Sequence, residues 1–201
     1  MKRIGWLTGV LLLAGAAMAT PQALWDSSVK LRTEGGYGSG NVIAQAGDDA
    51  LVLTANHVAI CELTVGEHKV VKLRLSQIED LALVKVLGYH ATPLERKFAD
   101  PVLAEDDEVV WSDSDGPRYS RLYVSQPLLT ITANIGAMGE CVGWNGVIAP
   151  GASGSLVERA DGTLVGMVNA GHWAEAPEVC GRRGSVLQRF LKQCKDWLPP
   201  A

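Results

Sequence analysis

Basic residues are not in excess in this chain, and apolar runs are few. Its 201 residues carry 18 Lys and Arg against 22 Asp and Glu, a formal net charge of -4. Without a basic stripe to hold phosphates, nucleic acid is not an expected partner. There are only four cysteines, and none stands in a tight Cys-x-x-Cys pair; His-x-x-x-His is missing as well. Cys61 and His68 are the candidate zinc ligands, and their spacing supports no site. No metal and no cofactor is therefore expected. Internal repeats, low-complexity tracts and coiled-coil heptads are also missing.

The one apolar run of note lies at the N-terminus. Lys2 and Arg3 precede the stretch from Ile4 to Ala14, and Ala17-Met18-Ala19 follows as a small-x-small cleavage site. This is the layout of a secretory signal peptide over residues 1–19. The run is shorter than the roughly 20 residues that a spanning helix needs. The expected mature chain starts at Thr20, is exported to a periplasmic or extracellular location, and has no membrane partner after cleavage. Removing residues 1–19 of 201 leaves 182, and the loss of Lys2 and Arg3 takes the formal charge from -4 to -6. Cys61, Cys141, Cys180 and Cys194 all fall in the mature part. An even count in an exported chain suggests two disulfides, with three pairings open.

What is present is a series of short strands. Runs at 29–32, 41–46, 50–55, 69–75 and 81–86 are β-branched or alternating, with Gly47-Asp48-Asp49 as a hairpin turn. A looser segment, 87–100, contains Pro93 and mixed charge. Strands resume at 108–112, 121–125, 128–133, 146–149, 155–158 and 163–169. This spacing predicts an all-β sandwich or barrel. One helix is predicted at the C-terminus, with Ser185 as N-cap, Leu187, Phe190, Leu191 and Cys194 at helical spacing, and Pro199-Pro200 as the stop.

Three islands carry chemistry. In Leu53-Thr54-Ala55-Asn56-His57-Val58 an apolar strand runs into a histidine, which such a strand can hold rigidly as a general base. In Ile78 to Val86 an acid, Asp80, opens a strongly apolar strand. A carboxylate there can accept a bond from a histidine Nδ1–H and fix its tautomer. Glu79 is its neighbour, further from the apolar run. In Pro150-Gly151-Ala152-Ser153-Gly154-Ser155, glycines on both sides of a serine permit a tight turn that exposes Oγ and aims backbone N–H groups at one spot. Each island alone has an ordinary structural reading. The order His, Asp, Ser is what joins them, and it is the chymotrypsin-type order. The α/β-hydrolase order would need Gly-x-Ser-x-Gly and an acid and histidine after the serine. Residue 155 is Ser, and Asp161 and His172 follow without room for alternating strands and helices.

With these residues in view, the chain resembles trypsin-like serine proteases, in motif style the bacterial high-temperature-requirement branch. Gly38-Ser39-Gly40-Asn41-Val42-Ile43, Thr54 to Val58, Asp80 to Val86, Gly151 to Gly154 and Gly162 to Val168 resemble successive motifs of that family, over roughly residues 27–198. The resemblance implies an all-β chymotrypsin-like fold. Two six-stranded-type antiparallel barrels are expected at 20–95 (with His57 and Asp80) and 96–184 (with Ser153), and a C-terminal helix and tail at 185–201. It implies a serine endopeptidase acting on polypeptide through an acyl-enzyme. His57, Asp80 and Ser153 are then the catalytic residues, and the N–H groups of Gly151 and Ser153 the oxyanion hole. Val147 and Ile148 approach the primary pocket, and Asn169, Ala170 and Gly171 resemble the strand that pairs with substrate. His172 lies near the expected rim. No acid stands at the matching pocket base, so a small or apolar P1 residue is expected. Cys141 and Cys180 flank the nucleophile loop and are the expected bracing pair, which leaves Cys61 with Cys194.

The chain also departs from the family. Ala152 replaces the Asp that captures a new N-terminal amine in digestive relatives, so that activation switch is not expected. Ser155 stands where Gly is common. The separation of His57 and Asp80 is short, which implies trimmed loops. No PDZ-like segment follows, so the regulated assemblies of that branch are not expected. A non-catalytic binding protein on the same fold, or an esterase with the same triad, are the competing readings. The sequence assigns no oligomeric state.

Overall fold

The computed structural model describes residues 22–98, 108–113, 116–123, 141–145, 150–172 and 178–199. β3 (Asp49–Ala55) and β6 (Leu81–Val86) are the most continuously apolar segments of the first half. They pair antiparallel from Ala50 opposite Val86 to Ala55 opposite Leu81. Residues from 50 to 55 and from 81 to 84 are all buried. A strand covered on both faces loses the in–out alternation of a half-exposed one. β1 (Ser28–Thr33), β2 (Gly36–Ala46), β4 (Thr64–Val65) and β5 (His68–Ser76) complete a closed barrel in the order β1-β2-β3-β6-β5-β4. Closure rests on one register pair, Arg32 opposite Thr64. The turn between β2 and β3 is the two-residue Gly47-Asp48, with Gly47 at φ +64°, as Ala46 opposite Asp49 requires.

The second closed barrel is built from β7 (Glu108–Asp113), β8 (Gly116–Tyr123), β9 (Cys141–Asn145), β10 (Leu156–Arg159), β11 (Leu164–His172) and β12 (Glu178–Arg183). Its order is β10-β11-β12-β9-β8-β7. Trp111, Val109, Ala152, Val157, Val165 and Val168 form one apolar cluster there. A larger cluster runs from the first barrel through Leu156, Leu164 and Met167 to Val186, Leu187 and Phe190. It joins the two barrels and the C-terminal helix into one core.

Among the described residues, three helices are short. α1 (Gln22–Asp26) precedes β1, α2 (Asn56–Ala59) is one turn that leaves β3 directly, and α3 (Gly184–Gln193) follows β12. Ser185 is not the N-cap of α3. β12 runs straight into the helix, so the extended Arg183 occupies that position and no side chain caps it. The expected strand at 121–125 is β8, which lies earlier. The expected strands at 128–133 and 146–149 lie outside the described residues, as does the expected signal peptide. α1, α2, β4 and β12 escape a reading by periodicity because they are too short or interrupted by Gly.

Candidate active site

His57 and Asp80 are brought together by the β3–β6 pairing. Register puts the end of β3, Ala55, opposite the start of β6, Leu81. The second residue beyond one strand therefore meets the residue just before the other. The His57 ring nitrogen Nδ1 donates to Asp80 Oδ2 at 2.8 Å, and the His57 backbone N–H donates to Asp80 Oδ1 at 2.9 Å. Both carboxylate oxygens are thus engaged by one residue, and Nε2 is the ring nitrogen left open. The His57 side chain is 42% exposed and that of Asp80 only 10%. Glu79 faces elsewhere, with Oε1 3.5 Å from Arg189 Nε.

Burial alone would raise the pKa of Asp80. The hydrogen bond and charge of His57, the Asn169 amide and the His57 backbone N–H together outweigh it, and the carboxyl is held below its ordinary value of 3.8. Asp80 is also the only non-glycine residue with positive φ among the described residues, at +51°. That left-handed conformation is tolerated by Asp better than by most residues, but something must hold it.

Asn169 is that link to the second barrel. β11 shifts register between Val168, opposite Gly181, and Ala170, opposite Cys180, which leaves Asn169 as the extra residue of a bulge. Its side chain is buried, and Nδ2 donates to Asp80 Oδ2 at 2.7 Å and to the Asp80 carbonyl at 3.0 Å. The backbone N–H of Arg182 donates to Asn169 Oδ1 at 3.0 Å, which fixes the amide the right way round. The Asn169 carbonyl oxygen lies 3.5 Å from Ser153 Oγ, so one residue touches both the acid and the serine. At that distance the serine hydroxyl is only weakly tied. Asn169 was expected as part of a strand whose backbone pairs with substrate; its side chain bonds Asp80. Ala170 and Gly171 lie on the same strand, opposite Cys180 and Val179. Val147 and Ile148 lie outside the described residues.

The serine loop is held from the first barrel. The Ser39 N–H donates to the Ser153 carbonyl at 2.8 Å, and Ser39 Oγ donates to the Gly151 carbonyl at 2.6 Å. Thr54 Oγ1 donates in turn to the Ser39 carbonyl at 2.6 Å. Two residues on, Asn41 accepts from the Leu156 N–H at 2.9 Å and donates to Ser27 Oγ at 2.9 Å. Ser39 and Asn41 are two apart on β2, so both point to the face that meets the second barrel. Gly154 sits at φ +94°, and a Cβ there would collide with the Ser39 carbonyl and Thr54 Oγ1. Only glycine lets the loop approach β2 and β3 this closely. Ala152 is 1% exposed inside the second barrel's apolar cluster. An Asp at that position would be a buried charge among valines. Among the described residues, no acceptor engages the N–H groups of Gly151 and Ser153, which stay available.

The cysteines differ from expectation. Cys61 is exposed and Cys194 is fully buried at the end of α3, and both are free thiols, so the Cys61–Cys194 bond is not formed. Burial pushes the Cys194 thiol up to about 11. Cys141 lies opposite Arg182 and Cys180 opposite Gly143, so the other two cysteines stand on paired strands two residues out of register. No group of three or more metal-ligating side chains occurs among the described residues. A surface groove of about 560 Å³ between β1 and the β4–β5 turn, lined by Lys30, Arg32, His68 and Tyr89 among others, contains none of the residues above.

Two solved structures share this architecture. One is Rv3671c from Mycobacterium tuberculosis H37Rv, in an inactive serine-to-alanine form. It has a TM-score of 0.67 and 18% identity over 92% of this chain and 95% of that one. The other is the serine endoprotease from Yersinia pestis, with a TM-score of 0.65 and 13% identity over 86% of this chain and 64% of that one. The chain has the trypsin-like serine protease fold. At these identities the likeness speaks for the fold alone. No family model matches the chain, and no curated protein matches it by sequence. Within the trypsin-like fold, the residues that sequence reasoning passed over are Arg182, Ser39 and the side-chain role of Asn169. The only signal for Arg182 is a basic pair, Arg182-Arg183, set between Gly181 and Gly184 in a strand.

Proposed function

We propose that the protein is an exported serine endopeptidase with His57, Asp80 and Ser153 as its triad. The observation that carries this reading is the chain of contacts from His57 through Asp80 to Asn169 and Ser153. His57 Nδ1 is held by the carboxylate, so Nε2 is the nitrogen free to act as base. The Ser153 Oγ–H proton passes to Nε2 as Oγ bonds to the scissile carbonyl carbon. The resulting oxyanion is met by the N–H groups of Gly151 and Ser153. The C–N bond then breaks, His57 returns the proton to the leaving amine, and an ester to Ser153 remains. Water attacks that ester by the same proton exchange and releases the acid. Asp80 keeps its negative charge throughout, because its carboxyl is held below the ordinary range. The buried Ala152 supports a loop that is competent without a newly formed N-terminal amine.

The reading extends to a small or apolar P1 residue and to signal cleavage after Ala19. A fluorophosphonate probe tests its centre. Wild-type protein is expected to label and Ser153→Ala not to. A folded wild-type protein that stays unlabelled would remove the enzyme reading and leave a binding protein on the same fold. Digestion of a peptide library then reports P1, and cleavage of esters without peptides would make it an esterase. N-terminal sequencing of the exported protein checks Thr20.

A further inference from the structure

We infer that Arg182 is a positioning residue for the acid: its guanidinium holds the Ile78–Asp80 turn in the left-handed conformation that aims the Asp80 carboxylate at His57. The inference rests on the triad reading above and adds to it a residue outside the triad. Arg182 is on β12, in the second barrel, and is only 2% exposed. Its Nε donates to the Glu79 carbonyl at 2.6 Å, and a terminal nitrogen donates to the Ile78 carbonyl at 2.7 Å. These are the two carbonyls immediately before Asp80. Its backbone N–H holds Asn169 Oδ1, and Asn169 Nδ2 holds the carbonyl of Asp80 itself. Three successive carbonyls, from 78 to 80, are therefore gripped from one residue, two directly and one through Asn169.

This grip is needed where it stands. Asp80 has φ +51°, a conformation that an L residue keeps only when its surroundings over-determine it. The side chains of the two residues before it do little of that. Ile78 is 83% exposed, so it packs against nothing that would anchor the turn. The Glu79 side chain reaches only a 3.5 Å contact with Arg189, and the Glu79 N–H reaches Ser76 Oγ at 3.3 Å. A guanidinium is suited to the task because its planar fork presents several donors in fixed directions to adjacent acceptors. A lysine ammonium is a point charge with no such fork, so it would grip less. The turn belongs to the first barrel and Arg182 to the second. Arg182 is thus positioned to couple the alignment of the two barrels to the aim of the acid.

The test uses the mature protein with Arg182→Ala and Arg182→Lys. The reporter that does not depend on activity is the proton NMR signal of the His57 Nδ1–H held by Asp80. Arg182→Ala is expected to keep its β-sheet circular dichroism but to shift or broaden that signal. Its Ser153 labelling should slow by about a hundredfold, as for a reacting group displaced by about an ångström. Arg182→Lys should fall between, and added guanidinium ion should restore signal and labelling in Arg182→Ala. An unchanged signal and unchanged labelling in folded Arg182→Ala would overturn the inference. Should wild-type protein not label at all, the enzyme reading fails and the NMR signal alone decides the role of Arg182. If both variants fail to fold, hydrogen exchange in the wild-type protein decides. The Arg182 Nε–H and the His57 backbone N–H should then become exposed in one opening event, and markedly faster exchange at His57 would overturn the inference.

Discussion

The two barrels have the same strand order, read along the chain as first, second, third, sixth, fifth, fourth, yet they treat a buried acid in opposite ways. In the first, Asp80 has both carboxylate oxygens bonded and its pKa is lowered. In the second, Glu158 is 1% exposed and neither oxygen has a hydrogen-bond partner among the described residues. Arg96 Nε stands 3.5 Å from Oε1, near enough for charge attraction but outside hydrogen-bond geometry. Burial therefore raises the Glu158 pKa above its ordinary 4.5, aided by the nearby Asp161 charge and only partly offset by Arg96. Burial by itself does not make an acid useful. What differs is whether hydrogen-bond donors meet it: His57 of the same barrel and Asn169 of the other do so for Asp80, and none does so for Glu158 among the described residues. The first barrel supplies a histidine–carboxylate pair that is braced by amide and guanidinium groups of the second. The second supplies a serine loop that is braced by hydroxyls of the first.

The sharpest way to break this division is Asp80→Asn. The amide would be offered to His57 in place of an acceptor and would favour the wrong tautomer. Labelling of Ser153 should fall by about 10³- to 10⁴-fold, as a wrong tautomer costs in triads of this kind. A loss under tenfold in a folded protein would show that the first barrel is not needed for the chemistry. Next in size is Gly154→Ala, which forces a Cβ between the loop and the Ser39 carbonyl at a positive φ. Chemical denaturation should show a loss of at least about 2 kcal/mol. An unchanged midpoint would mean that the seam between the barrels can open at no cost.

The pH dependence separates the two acids. Glu158 has a raised pKa in the folded protein, so its contribution is full below 4.5 and is lost as pH rises through the folded value. Asp80 has a depressed one, so its contribution is present above 3.8 and is lost as pH falls through the folded value. Glu158→Gln should therefore gain stability relative to wild type near neutral pH, and the gap should narrow on acidification towards 4.5. Melting temperatures across that range check it; a gap that widens on acidification would reverse the assignment. The smallest effect is expected at Ser155, which is fully buried with its Oγ unpartnered among the described residues. Ser155→Ala removes a hydroxyl that gains nothing and should be neutral or stabilising by up to about 1 kcal/mol. A loss of that size in thermal unfolding would mean that Oγ has a partner after all.

How much of this could be read from the sequence follows from the range of each interaction. β3 and β6 are continuous apolar runs, so their limits are visible in composition. Their ends place His57 beside Asp80 once the two strands pair. The serine loop is visible because Gly151 and Gly154 mark positions where a side chain will not fit. Asn169 and Arg182 leave no such mark. The first is aimed by a bulge, and a one-residue register shift between β11 and β12 has no signature in a single strand. The second reaches the turn before Asp80 from the far end of the chain, and it binds only main-chain carbonyls there. The side chains of Ile78 and Glu79 therefore carry no sign of the contact. The cysteines mislead for a related reason. An even count says nothing of depth, and here Cys61 is at the surface while Cys194 is inside.

The bonds from Arg182 to the turn before Asp80 also set an order of assembly. Chains are made from the N-terminus, and domains tend to fold in that order. Residues 57, 80 and 153 are all made before Asn169 and Arg182. On the proposed triad, a nascent chain that has reached Ser153 carries every reacting group but not yet β12, which holds the turn before the acid. On the proposed reading the protein stays chemically quiet while it is being made, and β12 is what arms it.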